Sequence, residues 1–98
     1  MDRDAVLERL RGHEAELRAM GVARLSLFGS VARGEAGAES DVDLAAEFDP
    51  AARVGMFRYG AIAGRLTELL GRDVDLLGLP ARNARIGAQI ERDQVHVF

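Results

Sequence analysis

The sequence contains no cysteine and no lysine, and its only histidines are His13 and His96. The absence of cysteine excludes disulfides, thiolate zinc sites and cysteine nucleophiles. Two histidines leave almost no material for a histidine metal cluster or a Ser-His-Asp triad. Because all 13 basic residues are arginine, chemistry that needs a lysine amine, such as a Schiff base or a Walker-type phosphate loop, is excluded as well.

The sequence also lacks a long apolar run and a surplus of positive charge. No stretch approaches the ~18 consecutive apolar residues of a membrane span, and the first ten residues are too charged for a signal peptide. Sixteen acidic residues against 13 basic ones give a net charge of −3, which argues against direct binding of nucleic acid. We therefore expect a cytoplasmic protein with no membrane contact.

The residues that are present fit one folded domain. A length of 98 residues is typical of one domain, so we expect a single domain over residues 1–98. Apolar residues make up 48% of the chain and charged residues 30%, which argues against a disordered or collagen-like chain. A chain this short buries only roughly 60–70% of its unfolded surface, so a partner or homodimerisation would be a natural supplement.

Apolar spacing and the positions of glycine and proline predict helices that alternate with short strands, which is typical of an α/β or α+β fold around a small sheet. Three glycines inside the long central helix each weaken it by roughly 1 kcal/mol relative to alanine, so close packing or plasticity is expected there. The predicted elements are a helix over residues 2–20, a strand over 22–28, a helical turn over 30–33, a loop to residue 40, a strand over 41–48, a helix from Pro50 to Gly71, a strand over 73–77, a helix over 80–90 and a strand over 95–98.

The long central helix carries four arginines and two aromatic residues that admit two interpretations. The arginines could contact a nucleotide or a partner, but a solvated face is favoured because charge runs on helices usually are solvated. Phe57 and Tyr59 could stack on a nucleotide base, although aromatic residues at helical spacing are more often core or interface. The arginines are Arg53, Arg58, Arg65 and Arg72.

Acidic residues at alternate positions of two predicted strands carry the chemistry. Asp41 and Asp43 project from the same strand face about 6–7 Å apart, and like charges on one face are unfavourable unless a cation lies between them. Oxygen ligands without cysteine or histidine suit Mg²⁺ or Mn²⁺. Asp-Val-Asp-Leu recurs at 73–76, and Asp75 is the favoured third carboxylate of a site suited to phosphoryl or nucleotidyl transfer.

A Gly-Ser dipeptide lies between the first predicted strand and a helical turn. Gly29 would permit close approach of a phosphate to the backbone, and Ser30 adds a hydroxyl donor. Arg33, about one helical turn later, could bind the β- or γ-phosphate of a nucleoside triphosphate in place of the missing lysine.

The order of these residues resembles the nucleotidyltransferase superfamily that includes DNA polymerase β. The resemblance is carried by Gly29-Ser30, Ala32-Arg33-Gly34, Ser40-Asp41-Val42-Asp43-Leu44 and Asp75. A chain with little beyond this core is similar to the minimal nucleotidyltransferases (MNT proteins) of bacteria and archaea. The resemblance covers essentially the whole sequence.

The resemblance implies a small mixed β-sheet flanked by helices and transfer of a nucleoside monophosphate, AMP from ATP, with release of pyrophosphate. Gly29, Ser30 and Arg33 would bind the triphosphate, whereas Asp41, Asp43 and Asp75 would be the catalytic metal ligands for Mg²⁺, with Asp75 also helping to activate the acceptor hydroxyl. Family members of this size are commonly antitoxins of HEPN-domain ribonuclease toxins, and some transfer AMP onto a tyrosine of the toxin. The acceptor would then be a partner protein.

Three alternatives stay open at this stage. The chain could neutralise a toxin by binding alone, with the acidic cluster a structural metal site or a remnant. It could be a free-standing transferase that acts on a small molecule. In the plainest interpretation, the acidic residues only solvate the surface of a small α/β domain, although the like-charge penalty on a shared face disfavours this.

Overall fold

A mixed four-stranded sheet is the centre of the fold in the computed structural model, which describes residues 2–35, 37 and 40–98. The strand order is β3-β2-β1-β4, with β1 antiparallel to β2 and β4, and β2 parallel to β3. This confirms a small mixed sheet flanked by helices, in the α+β class. The elements are α1 Arg3–Arg11, α2 Glu14–Ala19, β1 Val22–Phe28, α3 Gly29–Ala32, β2 Val42–Phe48, α4 Met56–Leu70, β3 Val74–Gly78, α5 Ala84–Asp93 and β4 Val95–His96, with a 3₁₀ turn at Pro50–Ala52.

The two faces of the sheet carry different side chains because successive residues of a strand alternate. In β2, Val42, Leu44 and Ala46 are fully buried in the main core, to which helices α1, α2 and α4 contribute. Ala45 faces the other way and forms a smaller cluster with Phe28 and Ile90 of α5. The largest fully buried core side chains are Leu10, Leu17, Leu25, Leu27, Leu44, Ile62 and Leu66.

The predicted first helix is two helices, so the prediction of one helix over residues 2–20 is wrong. Asp2 caps α1 by accepting a hydrogen bond from the Ala5 amide at 2.9 Å, but the helix ends at Gly12. His13 then adopts φ −115° and ψ 19°, which is outside the helical region. Glycine is a poor helix former, so the chain bends here at little cost and α2 can bury Leu17.

The central helix begins six residues later than predicted. Pro50 starts a 3₁₀ turn, capped by the Asp49 carboxylate, which accepts from Ala51 N at 2.9 Å. Arg53 follows with φ 49°, a left-handed conformation that ends the turn. The predicted end at Gly71 is confirmed, with φ 65°. The prediction of close packing at Gly55, Gly60 and Gly64 is wrong, since a Cβ at each position would meet open space.

The last helix is shifted relative to the predicted residues 80–90. Asn83 provides the cap, because its side-chain oxygen accepts from the amides of Arg85 and Ile86 at 2.8 and 3.3 Å. The helix therefore starts at Ala84 rather than at Pro80. Strand β4 is shorter than predicted, although Val97 still donates to the Leu25 carbonyl at 2.8 Å.

The structure describes only part of the predicted loop before β2. The predicted loop over 34–40 includes residues 36, 38 and 39, which lie outside the described residues. Within the described ranges, every helix is too short or too polar to cross a bilayer.

Candidate active site

The register of two parallel strands brings the predicted acidic residues together. Asp43 of β2 pairs directly with Asp75 of β3, so the repeated Asp-Val-Asp-Leu segments run side by side in register. Paired residues of neighbouring strands project from the same face of a sheet. Asp41 lies two residues before Asp43, just ahead of β2, and its charge also acts on Asp43. The three carboxylates therefore belong to one side of the sheet.

Gly29 is the residue that admits the Asp43 carboxylate to this position. It follows β1 with φ +76°, a conformation that favours glycine, and the preceding Phe28 pairs with Asp43 across the sheet. A Cβ at Gly29 would lie 2.1 Å from Oδ2 of Asp43. The glycine of the Gly-Ser dipeptide and the aspartate of the second strand thus occupy one compact site, with the half-buried Ser30 next in the chain.

The segment that leads into β2 is held by hydrogen bonds to the two residues that directly precede β3. Arg72 donates to the carbonyls of Gly37, at 3.3 Å, and of Ser40. The Val42 amide donates to the Asp73 carbonyl at 2.9 Å. These contacts fix the backbone on both sides of Asp41.

The electrostatics of the site are unfavourable for the anionic form of Asp43. Burial raises the pKa of Asp43, and the charges of Asp75 and Asp41 raise it further, whereas the Arg33 cation acts in the opposite direction. A cation bound among the three carboxylates would relieve this repulsion.

The donor set fits Mg²⁺ or Mn²⁺ in its chemistry, because all three side chains offer carboxylate oxygens and Mg²⁺ usually takes one or two carboxylates plus phosphate oxygens and water. Among the described residues, however, no three acidic or histidine side chains form a ready-made metal-binding group. The metal-ligand roles of Asp41, Asp43 and Asp75 stay predictions, as do the phosphate-binding roles of the Gly-Ser dipeptide.

The Arg33 guanidinium forms ion pairs with two carboxylates of the same chain. Its guanidinium donates to Oδ2 of Asp93 at 2.6 Å and to Oε2 of Glu35 at 2.9 Å. The Asp93 side chain is only 4% exposed, so this pair ties the end of α3 to the end of α5. Glu35 and Asp93 together raise the pKa of Arg33. The predicted contact with a triphosphate would have to compete with these two carboxylates.

Two further residues lie near the site: Tyr59, for which the sequence left base stacking and a core or interface role open, and Asp93, which the sequence did not single out. Tyr59 donates a hydrogen bond from its hydroxyl to the Leu76 carbonyl and packs edge-on against Phe48, with ring centroids 5.9 Å apart. Burial and the charge of Asp75 raise the pKa of Tyr59. Asp93 is the other, and no local pattern distinguishes it because its partner lies 60 residues away.

The four arginines predicted for the central helix do not form one solvated face, because Arg53 and Arg72 lie outside α4. Arg65 makes an ion pair with Glu16 of α2, and Arg72 binds the Ser40 carbonyl, so both support the fold. Arg53 and Arg58 are exposed, as expected for solvated side chains.

Comparison with known proteins gives the family. The model of the nucleotidyltransferase domain matches residues 9–96. The chain belongs to the nucleotidyltransferase-domain family. It is accordingly an enzyme of the nucleotidyltransferase type.

Two archaeal relatives match nearly the whole nucleotidyltransferase chain. The protein adenylyltransferase MntA of Thermococcus cleftensis is 34% identical over 89 residues, covering 90% of this chain and 88% of the relative. MJ1379 of Methanocaldococcus jannaschii, provisionally named a protein adenylyltransferase, is 35% identical over 94 residues, with 94% of each chain covered.

Solved structures agree with the nucleotidyltransferase fold. A protein described provisionally as a minimal nucleotidyltransferase superposes with a TM-score of 0.80 at 29% identity, covering 97% of this chain and 95% of its own. A toxin-antitoxin structure with AMP-PNP gives 0.72 at 23% identity, covering 90% and 72%. The tri-AMPylated Shewanella oneidensis HEPN toxin in complex with MNT antitoxin gives 0.66 at 20% identity, covering 94% and 71%. The last two likenesses concern the fold alone.

Proposed function

We propose that this chain transfers AMP from ATP to a tyrosine hydroxyl of a HEPN-domain toxin and thereby acts as its antitoxin. The observation that supports this most is the pairing of Asp43 with Asp75 beside Gly29. The two adenylyltransferase relatives favour AMP as the transferred group, and the HEPN–MNT complex, through its shared fold, suggests the class of partner. Residues 1–98 would then be one minimal nucleotidyltransferase domain.

The proposed chemistry assigns each site residue one task. Gly29 and Ser30 would bind the triphosphate through a backbone amide and a hydroxyl, and Arg33 would turn from Glu35 towards the phosphates. Asp41, Asp43 and Asp75 would hold Mg²⁺, which would neutralise the charge that develops on the phosphates.

The reaction itself exchanges one phosphorus–oxygen bond for another. The acceptor oxygen forms a bond to the α-phosphorus while the bond from that phosphorus to the oxygen bridging to the β-phosphate breaks, and pyrophosphate leaves. Asp75, on the edge strand, would take the hydroxyl proton. In this proposal the partner protein presents its tyrosine hydroxyl to the site.

Labelled ATP tests the proposal directly. The chain is incubated with Mg²⁺, ATP labelled on the α-phosphate, and the protein encoded by the neighbouring gene, which the proposal expects to be a HEPN-domain toxin. We expect label on a tyrosine of that protein and release of pyrophosphate. The double variant Asp41→Asn with Asp43→Asn should lose transfer, because it removes two proposed ligands.

The matched control is Glu47→Gln, which neutralises a carboxylate on the same strand face, four residues beyond Asp43. It should retain transfer. If the double variant neutralises the toxin as well as the wild type does, the chain acts by binding and not by catalysis. If the label goes to a small molecule and never to protein, a free-standing transferase is the better assignment.

A further inference from the structure

An apolar groove of about 730 Å³ begins next to the candidate active site. Leu77, two residues beyond Asp75 on the same face of β3, lines it, as does Tyr59, whose hydroxyl binds the Leu76 carbonyl. The other walls come from the segment before α4 and from the β3–α5 connection. They include Val54, Met56, Leu79 and Ile86.

Two large apolar side chains at the start of α4 stand in solvent, and one of them, Met56, lines this groove. Met56 is 87% exposed and Phe57 is 95% exposed, and they are adjacent at the start of α4. Within the described residues, they are the large hydrophobic side chains classed as exposed. A neighbouring apolar pair beside an apolar groove is typical of a protein interaction site rather than of scattered surface hydrophobicity.

The one charged side chain among the described groove-lining residues is that of Arg82. Nine of the 13 arginines contact a carboxylate or a backbone carbonyl. The other four are exposed and have no such contact with any described residue, and each either lines the groove or directly precedes a residue that does. No acidic residue is among the described groove-lining residues. The four are Arg53, Arg58, Arg82 and Arg85.

We propose that this groove, with Met56, Phe57 and the four unpaired arginines, is the docking surface for an acidic segment of the acceptor protein that presents an apolar side chain. The inference rests on the proposed function, since it names how the HEPN acceptor is held. Proximity of the groove to Asp75 would bring a bound acceptor to the carboxylates.

Charge and polarity favour this occupant over two others. A second copy of this chain would bring the same arginines against the first, and like charges across an interface are unfavourable. A duplex nucleic acid would satisfy the arginines but would leave Met56 and Phe57 against its phosphate backbone, and the net charge of −3 disfavours nucleic acid in general. An acidic polypeptide with an apolar anchor satisfies both features.

Binding of the protein encoded by the neighbouring gene, expected to be the HEPN acceptor, tests the surface separately from catalysis when it is measured by isothermal titration calorimetry without ATP. Phe57→Ser should weaken binding by at least about tenfold, as is typical of a buried aromatic anchor. Arg58→Glu with Arg82→Glu should weaken it too and reduce its dependence on salt. Because these side chains are exposed, circular dichroism should show an unchanged fold.

Two controls separate this inference from the proposed function. Arg3→Glu, on an exposed arginine of α1, a helix that contributes no residue to the groove lining, should leave binding unchanged. Asp41→Asn with Asp43→Asn should bind the HEPN protein normally even though transfer is lost. Unchanged binding by the groove variants, or no binding by the wild type, would overturn the inference. So would self-association or RNA binding that these same substitutions abolish.

Discussion

The substitution Asp43→Asn should stabilise the fold while it abolishes transfer. Asp43 faces Asp75 directly across two parallel strands and is further repelled by Asp41, and like charges opposed across strands cost roughly 0.2–1 kcal/mol. The side chain is half-buried, so solvent screens part of this repulsion, and loss of the attraction to Arg33 offsets another part. We expect a net gain of about 0.5 kcal/mol, which is roughly 2–4 °C in melting temperature for a domain of this size.

The pH dependence gives the sign of this effect independently. The pKa of Asp43 is raised in the folded state, so the folded protein binds the proton more readily than the unfolded chain does. The penalty is therefore present above the folded-state pKa and is relieved as the pH falls through it. The stability difference between Asp43→Asn and the wild type should be largest at neutral pH and shrink in acid.

Thermal unfolding followed by circular dichroism, in the presence of EDTA and over a series of pH values, measures both effects. Glu47→Gln is the control, because Glu47 is an exposed carboxylate whose nearest cation, Arg24, is 3.6 Å away, and its replacement should change stability little. Added Mg²⁺ should raise the melting temperature of the wild type more than that of Asp43→Asn. A clearly lower melting temperature for Asp43→Asn in EDTA would refute the electrostatic reasoning.

Three further predictions concern the packing around the site, and urea unfolding measures each of them. Gly29→Ala should lower the free energy of unfolding by the roughly 1–2 kcal/mol that a left-handed conformation costs, and by a further amount because the new methyl group would collide with Asp43. Gly34→Ala, with φ +73° and open space around the position, should show only the conformational cost. Equal losses of stability in the two variants would contradict the contact between Gly29 and Asp43. Leu66→Ala should destabilise the fold by about 2–5 kcal/mol, since the side chain is fully buried; a loss below 1 kcal/mol would contradict the core assignment. Tyr59→Phe should cost about 0.5–1.5 kcal/mol for the lost hydrogen bond, and an unchanged midpoint would contradict its importance.

Much of the fold could be predicted because the strands are short, apolar and bounded by turn residues. The helix boundaries were harder, since several residues compete to start or stop a helix. Pro50 and Pro80 both suit a helix start, yet Asp49 caps only a 3₁₀ turn and Asn83 moves the start of α5 to Ala84. Gly12 could have continued a helix at modest cost, but burial of Leu17 requires the chain to turn there.

The acidic cluster was partly predictable for a different reason. Alternation along one strand places Asp41 and Asp43 on the same face whatever the topology is. That Asp75 joins them depends on β3 lying parallel to β2 in one register, which the residues alone do not specify. The pair of Arg33 with Asp93 was beyond prediction, because nothing near Asp93 in the chain indicates a partner in α3.

The contact between Gly29 and Asp43 makes mutations at these two positions non-independent. The Asp43 carboxylate fills the space that a side chain at position 29 would need. Asp43→Gly should therefore let position 29 accept a methyl group without a collision with that carboxylate, so that only the cost of the left-handed backbone conformation is left. Homologous sequences in which another residue replaces Asp43 should therefore tolerate more residue types at position 29. Drift at position 29 would then serve as a marker that catalysis has been lost.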